Sequence, residues 1–462
     1  MAKVTQTVHR LRGRGRAVLS AGAVGGPDSA STLLSLRSAL ADSGAGWYGL
    51  FALSLFALID EATVYVVGAI GPDVGNALGA SAGGVGLLAA LGQALVALLG
   101  LRFAATFYRR DRRAARAKQF GGAYGASLAL GSVTAGAAAL TPVTLAVGAG
   151  AAVVYAAHRP LLMDLVPPGA RLRALSLHRA AGVIGIVAAV AGVALLTGPV
   201  NLAWRGVMLV VGVVLVVVSA LGLRLRSPGY GKFDTDEIAA MIHDDDGDTL
   251  RTGDPADLAF WEAFRRVLLI PTVRRLLAVW AVLGVAVTPV VTYQAFFLQE
   301  QFGLATGARA AFYGGAWAAA LPALWISARW GERLWRDNPP QLLQMAAGTL
   351  AVLAGGFVLA VVPVLAISFV GFALVAAAQA VAFTAMTMVL LSVVRPRARP
   401  IAAALSGVFF AAIGAQGGAF LLGSVASRYS VVVAMLLLVV PALGAARLLR
   451  RAADGLEADL DQ

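Results

Sequence analysis

The chain has 462 residues, of which 59% are hydrophobic and only 13% charged, against about 25% charged in soluble domains. That balance excludes a water-soluble globular protein and leaves a polytopic membrane protein. The net charge of +13 would suggest nucleic acid in a soluble chain. Here the basic residues gather at the ends of apolar segments, so no nucleic-acid partner is expected.

Cysteine is absent, which excludes disulfides, Cys-ligated zinc and iron–sulfur clusters. No cofactor and no metal are expected. Residues 1–46 read as a basic cytoplasmic tail without the apolar region of a signal peptide. Within it, 29–41 suits a short amphipathic helix on the membrane surface.

Crossing a bilayer takes about 20 apolar residues per helix. Twelve such runs are expected, at 47–70, 82–107, 119–139, 142–165, 175–198, 203–223, 274–298, 306–328, 341–361, 364–393, 400–424 and 430–448. Alternate loops carry Arg109, Arg110, Arg112, Arg113, Arg116 and Lys118; Arg171 and Arg173; Arg224, Arg226 and Lys232; Arg329, Arg333 and Arg336; Arg395, Arg397 and Arg399. The opposite loops hold at most one basic residue apiece. By the positive-inside rule both termini are cytoplasmic, and a plasma-membrane location is expected.

The expected fold class is all-α, two six-helix halves at 47–223 and 274–450. A cytoplasmic loop at 224–273 joins them, and a tail at 451–462 follows. In the loop, Asp254-Pro255 reads as a helix start. Leu258, Phe260, Trp261, Phe264 and Leu268 then suit an amphipathic strut along the cytoplasmic face. The cluster His243-Asp244-Asp245-Asp246-Gly247-Asp248 fails the spacing of a calcium loop and reads as a solvated turn.

The halves repeat. LMDLVPPGARLRA at 162–174 aligns with LLSVVRPRARPIA at 390–402, matching Leu162/Leu390, Val166/Val394, Pro168/Pro396, Ala170/Ala398, Arg171/Arg399 and Ala174/Ala402. Both segments follow the fourth span of their half, which points to an internal repeat. Transporters built this way place their site at the interface of the repeats.

The first span carries Asp60 and Glu61 side by side near its middle. A charge at that depth costs at least about 2.5–3.5 kcal/mol on insertion scales, so the pair calls for a polar path or cavity. The two side chains point about 100° apart on a helix. One can therefore face a cavity while the other packs against a neighbouring span. His158-Arg159 lies in the cytoplasmic third of the fourth span. Arg159 either pairs with one of these acids across the cavity or snorkels to the interface.

From 47 to 450 the chain resembles the major facilitator superfamily. The family's signature between spans two and three fits at Asp111, Arg112 and Arg116, while Phe107 and Ala114 stand where glycines are usual. The equivalent loop, GERLWRDNPP, keeps Gly331 and Arg336, with Trp335 in place of the acid. Within the superfamily, Asp60, Thr63 and Gly71-Pro72-Asp73 are similar to the acidic first-span motif of the Spinster-type branch. So are Tyr155, Pro160, Asp164, Arg171 and Ser176 to its fourth-to-fifth segment. Glu61 replaces that branch's usual arginine.

The resemblance implies a cavity lined by spans one, four, seven and ten. It also implies a cytoplasmic gate network of Asp111, Arg112, Asp164, Arg171, Gly331 and Arg336. Asp60, Glu61, Arg159 and His158 are then the candidates for proton coupling or substrate contact, Asp60 first. In the second half, Thr288, Thr292, Tyr293 and Gln294, then Gln379, Thr384 and Thr387, and Gln416 offer neutral hydrogen-bonding groups. Interhelical glue is the commoner use of such residues.

The expected function is secondary active transport of a small organic solute by alternating access, coupled to protons. Export of a drug-like or lipid amphiphile is favoured over uptake of a polar nutrient. A membrane-embedded enzyme using Asp60 and Glu61, or a non-transporting scaffold, are the rival classes. The expected partners are the bilayer, the substrate and protons, with the chain acting as a monomer.

Overall fold

The structure is a computed structural model that describes residues 36–42, 46–79, 82–136, 140–234 and 259–460. Twelve long helical segments are present, in the order of the twelve expected spans. In the first half they are α1 (Trp47–Leu78), α2 (Ala82–Arg109), α3 (Arg113–Gly131), α4 (Thr141–Leu165), α5 (Arg171–Thr197) and α6 (Trp204–Ser219). In the second half α7 is Pro271–Phe302, and α8 is Thr306–Ala318 continued by Ala320–Asp337. Then come α9 (Pro339–Ala360), α10 (Leu365–Ser392), α11 (Arg399–Val408 onward to Arg428) and α12 (Val431–Ala453). Among the described residues there is no strand.

Ten of these helices are long and apolar enough to cross a membrane. The other two, α3 and α8, are diluted by charge: Arg113, Arg116 and Lys118 open α3, and Arg329, Glu332, Arg333 and Arg336 close α8. The third span begins and ends earlier than the expected 119–139. Alanine and arginine are good helix formers and extend it outward to Arg113. The hydroxyls of Ser132 and Thr134 donate to the carbonyls of Ala129 and Gly131 and help close it.

The repeat is physical. Each half has a 3₁₀ turn after its fourth helix, Pro168–Ala170 and Pro396–Ala398. The matched arginines then do the same thing: Arg171 Nε donates to the Met163 carbonyl and Arg399 Nε to the Leu391 carbonyl, both at 3.0 Å. The halves meet chiefly where α5 packs on α8 and α2 on α11, with α1 against α7 nearer the centre.

The expected linker strut is present as Phe260–Leu269. It buries Phe260, Ala263 and Val267 while Trp261 and Leu269 stay exposed. Its expected start at Asp254-Pro255, and the 243–248 cluster, lie outside the described residues. The short helix expected within 29–41 is described only as Leu36–Asp42. The expected tail differs: α12 runs on to Ala453 and a last helix, Leu456–Leu460, folds back. There the Thr272 amide donates to Asp459 Oδ2 at 2.6 Å. A carboxylate at that position satisfies an otherwise orphan N–H in the first turn of α7.

Glycine decides how closely some helices cross. A Cβ on Gly125 of α3 would lie 2.6 Å from the Gly212 carbonyl oxygen of α6, and one on Gly414 of α11 only 2.5 Å from Gly284 Cα of α7. Gly125→Val and Gly414→Val should each cost about 1–3 kcal/mol or more through overpacking. Thermal unfolding of the purified variants checks this against Gly192→Ala, where nothing lies within 4 Å of the added carbon. Equal midpoints for all three would contradict it.

Candidate functional site

The two acids of α1 lie among the helices of the first half and find different surroundings. Glu61 accepts a hydrogen bond and ion pair from Arg179 Nη1 on α5. Gly182, one turn further along α5, lets the glutamate lie against that helix. Asp60 lies beside Tyr124 of α3 and within electrostatic reach of Glu61, Arg159 and Arg179. The Tyr124 hydroxyl is the hydrogen-bonding group beside it, but the pair is too loosely aligned for a bond of good geometry at Asp60 Oδ1. Tyr124 in turn rests on Gly150 of α4, where a Cβ would be 2.5 Å from its Cζ.

Arg159 stands just past a widened π turn, Val154–His158, which re-aims side chains at the end of that segment. Its guanidinium lies 4.7 Å from the Tyr155 ring and 5.9 Å from the ring of Trp280 on α7. Among the described residues it forms no ion pair, so of the two roles expected for it the bridge to an acid is not made, and Glu61 pairs with Arg179 instead. Arg179 also faces the second half, 5.6 Å from Trp317 and 6.0 Å from Phe383. Trp280, Phe383 and Phe410 stack edge-on at 4.7–5.8 Å and form one aromatic wall from α7, α10 and α11. The Glu61 and Arg179 side chains keep 22% and 15% exposure there, so water can reach this pair.

His158 is buried with its ring 6.1 Å from that of His178 on α5, and Nδ1 of the first and Nε2 of the second lack partners. The neutral groups of the second half are not gathered at this centre. Tyr293 and Gln294 are buried on α7 more than three turns past Trp280, about 20 Å nearer the other face. The Thr292 side chain lies outside the description. Gln379 and Gln416 are half-buried on α10 and α11. Thr384 spends its hydroxyl on the Ala380 carbonyl of its own helix.

The arginine-rich face is closed by a charge network. Asp164, with no exposure, accepts from Arg113 Nη1 at 2.5 Å, from Arg399 Nη1 at 2.8 Å and from the Gly231 amide at 3.1 Å. Asp234 accepts from Arg171 at 2.7 Å and from Arg399 at 2.8 Å. Thus residues 227–234 of the linker are drawn in between the halves. Ser227 donates to Asp111, Arg113 Nη2 donates to the Gly229 carbonyl at 3.0 Å, and Tyr230 donates to the Phe107 carbonyl. Gly229 and Gly231 take φ of +95° and +60°, which a side chain would resist. A Cβ on Gly231 would also meet Pro396 at 2.8 Å.

Burial alone would raise the Asp111 carboxyl, but the hydrogen bond and charge of Arg113 outweigh it and hold it below the ordinary range. Asp234 behaves likewise: burial raises it, and Arg171 and Arg399 more than reverse the effect. Burial raises the Tyr230 phenol to about 12, against the pull of Arg113.

Of the expected gate residues, Asp111, Asp164 and Arg171 are in this network, with Arg113 in the role expected of Arg112, which is exposed. Helix α3 starts at Arg113, and that start turns its side chain inward. Gly331 is a packing position against Leu172, and Arg336 is exposed at the end of α8. Next to Gly331, Glu332 pairs with Arg173 of α5, a further tie between the halves. At the opposite face, Asp73 of α1 accepts from Thr306 at 3.0 Å and from Arg309 at 3.3 Å, beside a cleft of about 650 Å³.

Residues 49–419 match the family model of the major facilitator superfamily, and the chain belongs to that family. Among solved structures, it is similar to a bacterial homologue of the human lysosomal transporter Spinster in an inward-facing, unoccupied conformation. That match has 19% identity and a TM-score of 0.63, covering 89% of this chain and 98% of that one. It is also similar to the proton:xylose symporter XylE bound to 6-bromo-6-deoxy-D-glucose. There identity is 13% and the TM-score 0.65, over 88% of this chain and 95% of that one. No curated protein matches the chain by sequence. At these identities the two structures share the fold of a transporter with this chain.

Removing the charge that the linker supplies should open the arginine-rich face. Spin labels on Ala115→Cys of α3 and Arg333→Cys of α8 report on that, since the chain has no native cysteine. Asp234→Asn should lengthen the distance between the labels measured by pulsed spin resonance. Carboxylates held below their ordinary value stabilise above that value and lose their effect only as pH falls through the lowered one. The native protein should therefore keep the shorter distance from neutral to mildly acidic pH. A distance that already lengthens there would contradict the network.

Proposed function

We propose that the chain is a proton-coupled secondary transporter that moves an amphipathic organic solute across the plasma membrane by alternating access, with both termini cytoplasmic. One observation carries this reading: two acids and two arginines gather near the middle of the first half's helices, where Arg179 holds Glu61 and Asp60 has only the loosely placed Tyr124 hydroxyl beside it. A carboxyl so placed can take up and release a proton without unfolding its surroundings, because its neighbours do not depend on its charge for their own bonds.

The polar ties at the two ends favour alternation. Asp164 and Asp234 bind Arg399 across the halves at one end, and Asp73 binds Arg309 across them at the other. A rocking motion about the centre breaks one set at a time. The Spinster-like residues Asp60, Thr63 and Asp73 lie on the helix that spans both. The aromatic wall and the few charged groups around it suit a solute with an apolar body.

Flux in proteoliposomes under an imposed pH gradient tests this. A solute moved by the native protein should accumulate with the gradient. Asp60→Asn should drop accumulation to the level without a gradient while leaving exchange at equilibrium intact. Glu61→Gln frees Arg179 and should lower both. Gradient-driven accumulation that persists with both substitutions sinks the coupling, and no flux of any solute favours the enzyme or scaffold classes.

A further inference from the structure

Resting on the reading of this centre as the transport site, we propose that the substrate is an amphipathic anion. Its carboxylate or phosphate head would be held by Arg159, and its apolar body would lie on the wall of Trp280, Phe383 and Phe410. The starting point is an imbalance among the four charges. Arg179 is already bonded to Glu61, whereas Arg159 touches only ring faces, at 4.7 Å and 5.9 Å. A ring face offers a guanidinium less than an oxyanion does, because charge-assisted hydrogen bonds are the stronger contact.

A second observation lies beside it. The indole N–H of Trp280, a residue with no exposure, has no acceptor. A buried donor left without an acceptor is destabilising, because its desolvation is not made good. An oxyanion seated on Arg159 would give that guanidinium its acceptor, and Trp280, closed off in this conformation, becomes a second donor once the halves part. Trp280 belongs to the second half and Arg159 to the first, so the same head group would draw the halves together. A cation in that position would meet two guanidinium groups and no free carboxylate except Asp60.

The charge count fixes the sign of the coupling. With Asp60 ionised, the centre holds two acids and two arginines and is neutral. With Asp60 protonated it carries one positive charge, and that surplus rests on Arg159. An oxyanion therefore binds the protonated centre more tightly, so proton and substrate load together, as in symport. The other groups facing Asp60 and Arg159 are Glu61 and Tyr65 on α1, Tyr124 on α3, Tyr155 and His158 on α4, and His178 and Arg179 on α5. Tyr313 of α8 stands behind Tyr65 at 6.4 Å. Among the described residues, the second half brings rings to the two arginines, Trp280 to Arg159 and Trp317 and Phe383 to Arg179, and no charged group.

Calorimetric titration of the full chain in nanodiscs tests this with four probes of one body and different heads: phenylbutyrate, phenylbutyl phosphate, phenylbutanol and phenylbutylammonium. The two anions should bind about tenfold or more tighter than the alcohol or the ammonium, as expected for a charge-assisted bond. Arg159→Gln should erase that preference and Arg159→Lys retain part of it, with thermal unfolding confirming that both fold. Anion affinity should rise as pH falls, and Asp60→Asn should make it high and independent of pH with both histidines left in place. Equal or tighter binding of the ammonium, unchanged anion binding in Arg159→Gln, binding of neither anion, or a rise in affinity toward alkaline pH would each overturn the proposal. Binding is read without a gradient, so anion preference with no gradient-driven flux would remove the coupling alone.

Discussion

A carboxylate with no water around it needs donors, and Asp164 finds them in both halves of the molecule and in the linker between them. Arg113 comes from the first half, Arg399 from the second and the Gly231 amide from the linker. Losing one partner from such a buried set costs about 3–5 kcal/mol, because the remaining charge is left uncompensated. Closure of this face is therefore not a matter of apolar contact. It is imposed by the electrostatics of one acid, and Asp234 extends the same logic by sharing Arg399 and engaging Arg171.

The centre of the molecule follows the opposite rule. There the charges are almost balanced but not fully bonded: one ion pair is made, and one acid and one arginine are left facing a tyrosine and aromatic rings. Tight satisfaction at the ends gives rigid bodies that part along defined seams. Incomplete satisfaction in the middle leaves groups that are free to change partners. Close glycine crossings such as Gly284 with Gly414 let the helices of one half move as a packed unit.

The span count, the two halves and the placing of Asp60 and Glu61 inside the helix bundle were legible in the sequence because each is a local contrast: an apolar run, a repeated Pro and Arg, two acids where none is tolerated without cause. Arg179 offered the same contrast inside an apolar run, but it lies two turns from a basic loop and resembles an arginine reaching for the interface. The run from Arg109 to Arg116 hides which arginine turns inward, since only the helix start at Arg113 decides it. Asp234 and Trp280 carry no sequence signal at all. One is an acid in a polar linker and the other an aromatic in an apolar helix, and their roles come from what the fold sets beside them.

The linker's part in the closed face has a consequence for how the gate responds to its surroundings. Asp234 is a counter-ion on a tether, so its local concentration near Arg171 and Arg399 is set by the chain and not by the solution. Short tethers give effective concentrations of the order of millimolar. Diffusible anions that would otherwise compete for these two buried arginines meet a site already filled by a resident one. The counter-ion that closes this face is thus part of the chain itself, held near its arginines by linker residues 227–234 and not drawn from solution.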